Sequence, residues 1–182
     1  MVARKIYLQV NFILLAVFNG LLAVVPTCLA RVALLRIFFA VSWKSAVHRG
    51  VRVTSFIGPL VIGDYVVIGP HCLLDNRRGI TIGANANLTN SVSLYTLGHD
   101  LSDPERKTRG GPVTVEGGAY LFTGAAVMPN VRIGRDAAIG PFSVVVRDVG
   151  AQEFWAGNPA VFRKSIGTRS DSKNAYRYFL AL

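Results

Sequence analysis

The sequence predicts an all-β chain wound as a triangular solenoid, and three observations predict it. Between Phe56 and Gly150 a large apolar residue recurs every six positions. Four places after each one stands a mostly small or β-branched residue, and glycine often follows the large residue directly. A single polar stretch, 97–112, separates two blocks that share this period. A helix returns side chains to one face every three or four residues and a strand every two, so neither explains a period of six. A coil with three short sides does explain it, because each hexad supplies one side and one corner. Three hexads close a turn of about 18 residues, and stacked turns bury a column of aliphatic side chains.

The N-terminal 45 residues stand outside this pattern. Residues 1–5 (MVARK) are basic, and Ile6 to Val25 is a run of 20 residues without charge. That length reaches across a bilayer. A secretory leader is a competing reading, but no short small-residue cleavage site follows. Pro26 breaks the run, since an interior proline removes a helix hydrogen bond. Leu29 to Val41 is apolar again but carries Arg31 and Arg36. This composition describes a helix lying in an interface, its cations meeting lipid phosphates. Trp43 and Lys44 extend the interfacial pattern. The alternative is that both helices cap the end of the repeat array. Residues 1–45 are therefore expected to form an N-terminal α-helical, membrane-associating appendage.

The repeat domain is expected over 46–165, with 46–55 as its lead-in. Phe56, Ile62, Ile68, Leu74 and Ile80 hold one phase. A two-residue slip resets it to Ile82, Leu88 and Leu94, and it returns as Val115, Leu121, Val127, Ile133, Ile139 and Val145. The small set includes Val66, Cys72, Ala86, Ala119, Ala125, Ala137 and Ser143. Glycines at 63, 69, 83, 134 and 140 are expected to supply backbone conformations closed to other residues. A β-sandwich with accidental spacing is the alternative, and six consecutive in-phase residues from Val115 to Val145 argue against it. The interruption, LGHDLSDPERKTRGGP, must project as a loop because the column resumes unchanged after it. Long polar loops on rigid scaffolds tend to carry function. The tail, 166–182, is basic and weakly patterned.

Composition narrows the partners. Of 182 residues 51% are hydrophobic and 16% charged, and the net charge is +10. Such a balance favours polyanions: nucleic acid, acidic lipid or a phosphate-rich ligand. Nucleic-acid binding lacks any recognised motif or aromatic platform. Cys28 and Cys72 are far apart and suggest no disulfide framework.

For chemistry, His99 is the sharpest candidate. It stands where the projecting loop leaves the solenoid, and a neutral imidazole can take a proton from an attacking hydroxyl or amine. Asp100 and Asp103 lie close to it in sequence. His48 and His71 are weaker candidates. A shared zinc needs ligands that converge, whereas the three histidines are 23 and 28 residues apart. No metal is expected. Arg147, Arg163, Lys164 and Arg169 cluster near the end of the stack and suit phosphate oxygens.

From about Val51 to Lys164 the residues resemble the hexapeptide-repeat acyltransferases, a family of left-handed parallel β-helices. IGDYVV, IGPHCL, IGANAN, VRIGRDAAIGPFSVVVRDV and WAGNPAVFRK carry the resemblance. SVSLYTLGHDLSDP is similar to the segment bearing the catalytic histidine in maltose, galactoside and exopolysaccharide O-acetyltransferases. The resemblance implies a homotrimer with sites between subunits, acetyl-coenzyme A as donor, and direct transfer. It implies His99 as general base and Thr123 as donor to the thioester oxygen. Gly124, Ala125 and Ser143 would line the pantetheine channel, and Arg163 and Lys164 would meet the coenzyme's phosphates. Asp75, Asn76 and Asp100 fall in the region of the acceptor. Tyr120, Phe122 and Phe142 depart from the pattern, standing where tryptophan, glycine and glycine are usual.

The function implied is acetyl transfer to a saccharide, lipid-linked or nucleotide-linked, on the route to a surface polysaccharide. Because coenzyme A is intracellular, the expected place is the cytoplasmic side of the inner membrane, peripheral or monotopic. The rival is a non-catalytic, membrane-associated β-solenoid scaffold, which needs the column but not the histidine loop.

Overall fold

The computed structural model describes residues 2–168. All but the first three residues of the expected tail lie outside that range. Two helices come first, α1 (Val2–Val24) and α2 (Cys28–Arg36). Between them Thr27 caps α2, its hydroxyl accepting from the Ala30 amide at 3.2 Å.

The chain then winds through five full coils of three strands. The first holds β1 (Ala40–Val41), β2 (Ala46–Val47) and β3 (Arg52–Val53). The second holds β4 (Leu60–Ile62), β5 (Val67–Ile68) and β6 (Leu73–Asp75), and the third β7 (Ile80–Ile82), β8 (Asn87–Leu88) and β9 (Ser93–Tyr95). An excursion follows, β10 (Leu97–His99) and β11 (Thr108–Gly110). The fourth coil is β12 (Val113–Val115), β13 (Tyr120–Leu121) and β14 (Ala126–Val127), and the fifth β15 (Arg132–Ile133), β16 (Ala138–Ile139) and β17 (Val144–Val145). A closing hairpin, β18 (Glu153–Gly157) and β19 (Ala160–Ser165), covers the C-terminal end.

Each side of the prism is a parallel sheet. Sheet 1 orders β1-β4-β7-β12-β15, sheet 2 β2-β5-β8-β13-β16-β18-β19, and sheet 3 β3-β6-β9-β14-β17, with only β18–β19 antiparallel. In register, Val41, Ile62, Ile82, Val115 and Ile133 make one internal file. Val47, Ile68, Leu88, Leu121 and Ile139 make the second, and Val53, Leu74, Leu94, Val127 and Val145 the third. None of the fifteen is more than 2% exposed. Burying a Val, Leu or Ile side chain contributes about 1.5–3 kcal/mol, so this column is the main source of stability.

Three expectations need correction. The files begin at Val41, a coil before the sequence pattern suggests, and Phe56 is not in them. Phe56 sits at a corner, its ring 5.4 Å from Phe18 and 4.5 Å from Phe38. Its six-residue spacing from Ile62 is coincidental, and Val53 is the inward residue of that coil. Second, the glycines at 63, 69, 83 and 134 do not adopt left-handed backbone. A Cβ on any of them would come within 2.9 Å of the main chain one coil on, so it is close stacking that demands glycine. The left-handed residues instead form corner ladders: Tyr65, Asn85, Gly118, Asp136 and Gln152 at one edge, Gly50, His71, Ser91, Gly124 and Phe142 at the next.

Third, the arginines of α2 are bonded to the prism, and Arg31 has no surface to turn to lipid. Arg31 is completely buried. Its Nε donates to the Val47 carbonyl at 2.9 Å and its Nη1 to the Val25 carbonyl at 2.8 Å. Arg36 donates to the Val41 carbonyl and lies over the Trp43 ring. Asn19 of α1 completes the set, donating to the Val53 carbonyl at 2.9 Å and accepting from the Val53 amide at 3.0 Å. Each of β1, β2 and β3 thus has a side chain hydrogen-bonded to its otherwise unpaired edge. The helices cap the prism. Among the described residues no helix is long and apolar enough to cross a membrane.

Candidate active site

The 97–112 stretch leaves the prism between sheets 3 and 1 as an antiparallel hairpin, with His99 opposite Thr108. Its base is fixed by Thr96, which the sequence reading passed over. The Thr96 side chain is buried, donating to the Asp75 carbonyl at 2.6 Å and accepting from the Arg78 amide at 2.9 Å. The Gly111 amide closes the hairpin onto the Thr96 carbonyl at 3.0 Å.

His99 is exposed, and its Nδ1 lies 2.7 Å from the Arg106 carbonyl. A carbonyl only accepts, so Nδ1 carries a proton, and in the neutral ring the lone pair is then on Nε2. This is the tautomer a general base needs. Arg106 holds a left-handed backbone at φ 51°, and its amide donates to the Asp103 carbonyl at 2.8 Å. The hairpin tip therefore presents that carbonyl to the ring.

Asp100 does not orient the imidazole. Its Oδ1 accepts from the Ser102 hydroxyl at 2.6 Å and the Ser102 amide at 3.0 Å, and its Oδ2 lies 3.3 Å from Arg109. Those Ser102 bonds, with Arg109 behind them, hold its carboxyl below the ordinary range. It is a turn anchor.

Asp75 and Asn76 are both buried. The Asn76 Oδ1 accepts from the Thr54 and Ser55 amides, at 3.2 and 3.1 Å. Its Nδ2 donates to the Ser55 and Gly58 carbonyls, at 2.9 and 2.7 Å. Every polar group of that side chain is thus spent on the 54–58 corner, leaving nothing to offer a sugar. Asp75 accepts from Thr54 and, in a fork, from Arg77 at 2.7 and 2.8 Å. Burial alone would raise its carboxyl, but the Arg77 and Thr54 bonds outweigh this and leave it below the ordinary value. Acceptor contact by either residue is at odds with this burial.

Thr123 occupies a different edge, between sheets 2 and 3. It is exposed, its hydroxyl 3.3 Å from that of Thr89 one coil below. Gly124, with φ +73°, donates its amide to the Asn90 carbonyl at 3.0 Å, and Ala125 its own to Phe122 at 3.1 Å. The Ser143 hydroxyl is buried and accepts from the Gly157 amide at 3.0 Å. The backbone donors at 124 and 125 and the Ser143 side chain are therefore engaged within the coil. The exposed groups at this corner include Thr123 and the rings of Phe122 and Phe142. Arg163 and Lys164 stand exposed on β19, the Arg163 Nε donating to the Ala156 carbonyl at 3.3 Å, and among the described residues neither makes an ion pair, which fits a phosphate-bearing ligand.

One prism face separates His99 from Thr123, so a single chain does not bring them together. His48 and His71 lie on the Thr123 edge, away from His99, and among the described residues no group of His, Cys, Asp or Glu is placed to hold a metal. Burial pushes the Cys72 thiol up to about 12, so it is not a ready thiolate nucleophile, and Cys28 is buried as well.

No family model matches the chain. A protein of Escherichia coli K12 named as a colanic acid biosynthesis acetyltransferase, WcaF, is 31% identical over 131 residues, 72% of each chain. A Saccharomyces cerevisiae protein named as an acetyltransferase is 30% identical over 122 residues, and the chain spans only 62% of its length. Among solved structures, a hexapeptide-repeat acetyltransferase of Vibrio cholerae superposes with a TM-score of 0.79 at 23% identity, covering 87% of this chain and 92% of that one. A second structure of that protein contains acetyl-coenzyme A. A maltose O-acetyltransferase of Clostridium difficile gives 0.74 at 25% identity, covering 87% and 86%.

Proposed function

The chain belongs to the hexapeptide-repeat acyltransferases, and from that premise we propose that it is an acetyl-coenzyme A-dependent O-acetyltransferase acting on a saccharide of a surface polysaccharide. The observation that carries this reading is the His99 tautomer. With Nδ1 donating to the Arg106 carbonyl, Nε2 projects its lone pair from an exposed hairpin. There it takes the proton of an acceptor hydroxyl as that oxygen attacks a carbonyl. Thr123 donates a hydrogen bond to the oxygen on which negative charge gathers, and Arg163 and Lys164 bind phosphates. The coenzyme supplies the activated acetyl group, and the proton on His99 passes to the departing thiolate. The names of the E. coli and C. difficile relatives support a carbohydrate acceptor.

Because His99 and Thr123 occupy separate prism edges, the working enzyme is a homotrimer with each site shared between neighbours. Its N-terminal cap lies along the cytoplasmic face of the inner membrane, on the side of the bilayer where coenzyme A is found. One side of α1 packs on the prism through Phe18, Asn19 and Leu22, while Val10, Ile13, Leu14, Val17 and Leu21 remain exposed. That arrangement supports an in-plane helix rather than a span.

The test is thiol release from acetyl-coenzyme A with a panel of lipid-linked and nucleotide-linked sugars. His99→Ala should lower the rate by roughly 10²- to 10⁴-fold with an unchanged melting temperature. Retention of the wild-type rate would overturn the assignment.

A further inference from the structure

Between α1 and sheet 3 runs a groove of about 460 Å³, bordered by Phe12 and Leu15 on one side and Arg52, Leu73 and Arg77 on the other. Its two cations differ. Arg77 is gripped by both oxygens of Asp75, which fixes the plane of its guanidinium. Arg52 is exposed and, among the described residues, makes no ion pair. With Asp75 answered by Arg77, the groove keeps one uncompensated positive charge. Among the described residues Asp75 is the only carboxylate within hydrogen-bond reach of Arg77.

Directly beside it, past Phe12 and Leu15, lies a second hollow of about 180 Å³ walled by Phe56 and Ile57. Its polar side chains are Asn11, Thr54 and Ser55: the Thr54 hydroxyl donates to Asp75, and the Ser55 hydroxyl accepts from the Ile57 and Gly58 amides. The walls are mainly aromatic and aliphatic, which gives the edge of a nucleobase little to read. A hydrocarbon chain does find a surface, continuous with the exposed apolar side of α1.

Upward, the groove opens on the outer face of sheet 3. Arg52 pairs with Leu73, Leu73 with Ser93 and Asp75 with Tyr95, and the His99 hairpin begins two residues beyond Tyr95. Strands lie about 4.8 Å apart, so Arg52 is about 10 Å below the strand that leads into the hairpin.

We propose that this groove binds the phosphate of a lipid-linked acceptor. The hydrocarbon lies along α1 in the membrane, Arg52 and Arg77 hold the phosphate, and the saccharide runs up sheet 3 towards the hairpin. The proposal rests on the sugar-acetyltransferase reading and chooses lipid-linked over nucleotide-linked acceptors.

The test is co-sedimentation of the full chain with phosphatidylcholine vesicles carrying either a long-chain prenyl phosphate or phosphatidylglycerol at matched charge, with no acetyl donor present. The chain should bind the prenyl phosphate vesicles roughly tenfold more tightly. Arg52→Glu should erase that preference, since each basic residue near an anionic surface has about a fivefold effect. Arg52→Gln should weaken it by less, and His99→Ala should bind as the wild type does. Equal affinity for both vesicles, full binding by Arg52→Glu, or displacement by a soluble nucleotide sugar would overturn the proposal. So would self-association through α1 that leaves no vesicle binding. A chain that fails here yet still releases thiol with a soluble sugar keeps its acetyltransferase activity and loses only the groove.

Discussion

At the scale of single residues, a sequence offers a candidate for chemistry where a side chain announces itself by its position. His99 was recognisable because an imidazole stood at the root of a polar excursion from a regular repeat. Thr96 and Asn76 were not, because they bond main-chain groups that only the folded chain brings near. Asn76 provides a direct check of its corner-holding role. Asn76→Ala removes four hydrogen bonds and should cost about 3 kcal/mol in denaturant unfolding, with KM for the sugar unchanged. A raised KM at unaltered stability would return it to the acceptor site. His48 gives a pH effect. Burial, and then the Arg31 charge, hold its imidazole below the ordinary value of 6.5. As pH falls through that value the unfolded chain takes up a proton first, so stability declines until the folded imidazole protonates as well. His48→Gln should flatten the loss seen between about pH 7 and pH 5 in thermal melts, and an unchanged slope would contradict this.

At the scale of elements, the period of six found every coil from the second onward. It missed the first because Val41 closes an apolar run that reads as helix, so the file Val41, Val47, Val53 had no visible start. The same blindness hid the prism contacts of Arg31 and Arg36. Sequence shows cations among aliphatic residues but not the carbonyls that a strand edge leaves unpaired. Arg31→Met should therefore destabilise the chain by about 3 kcal/mol, since two buried carbonyls lose their donor. Arg31→Lys should recover little, because an ammonium lacks the planar fork that reaches both. Thermal unfolding of the two variants decides it, and wild-type stability in Arg31→Met would restore the lipid-facing reading.

At the scale of the whole molecule, the separation of His99 from Thr123 has a genetic signature. Under the proposed trimer with shared sites, His99→Ala and Thr123→Val chains, each inactive alone, should regain part of the wild-type rate when unfolded together and reassembled, because mixed trimers would contain some intact pairs. No recovery, in assemblies shown by light scattering to be mixed, would place both groups in one subunit's site. The side-chain bonds on the first coil carry a separate consequence. A stack of parallel strands has no inherent length, since its last rung offers the same unpaired groups that every inner rung has satisfied in its neighbour. Arg36, Arg31 and Asn19 occupy those groups on β1, β2 and β3 in turn. Without the segment that bears them, the bare rung is a template on which further copies polymerise, and an enzyme of fixed size becomes the seed of a fibre.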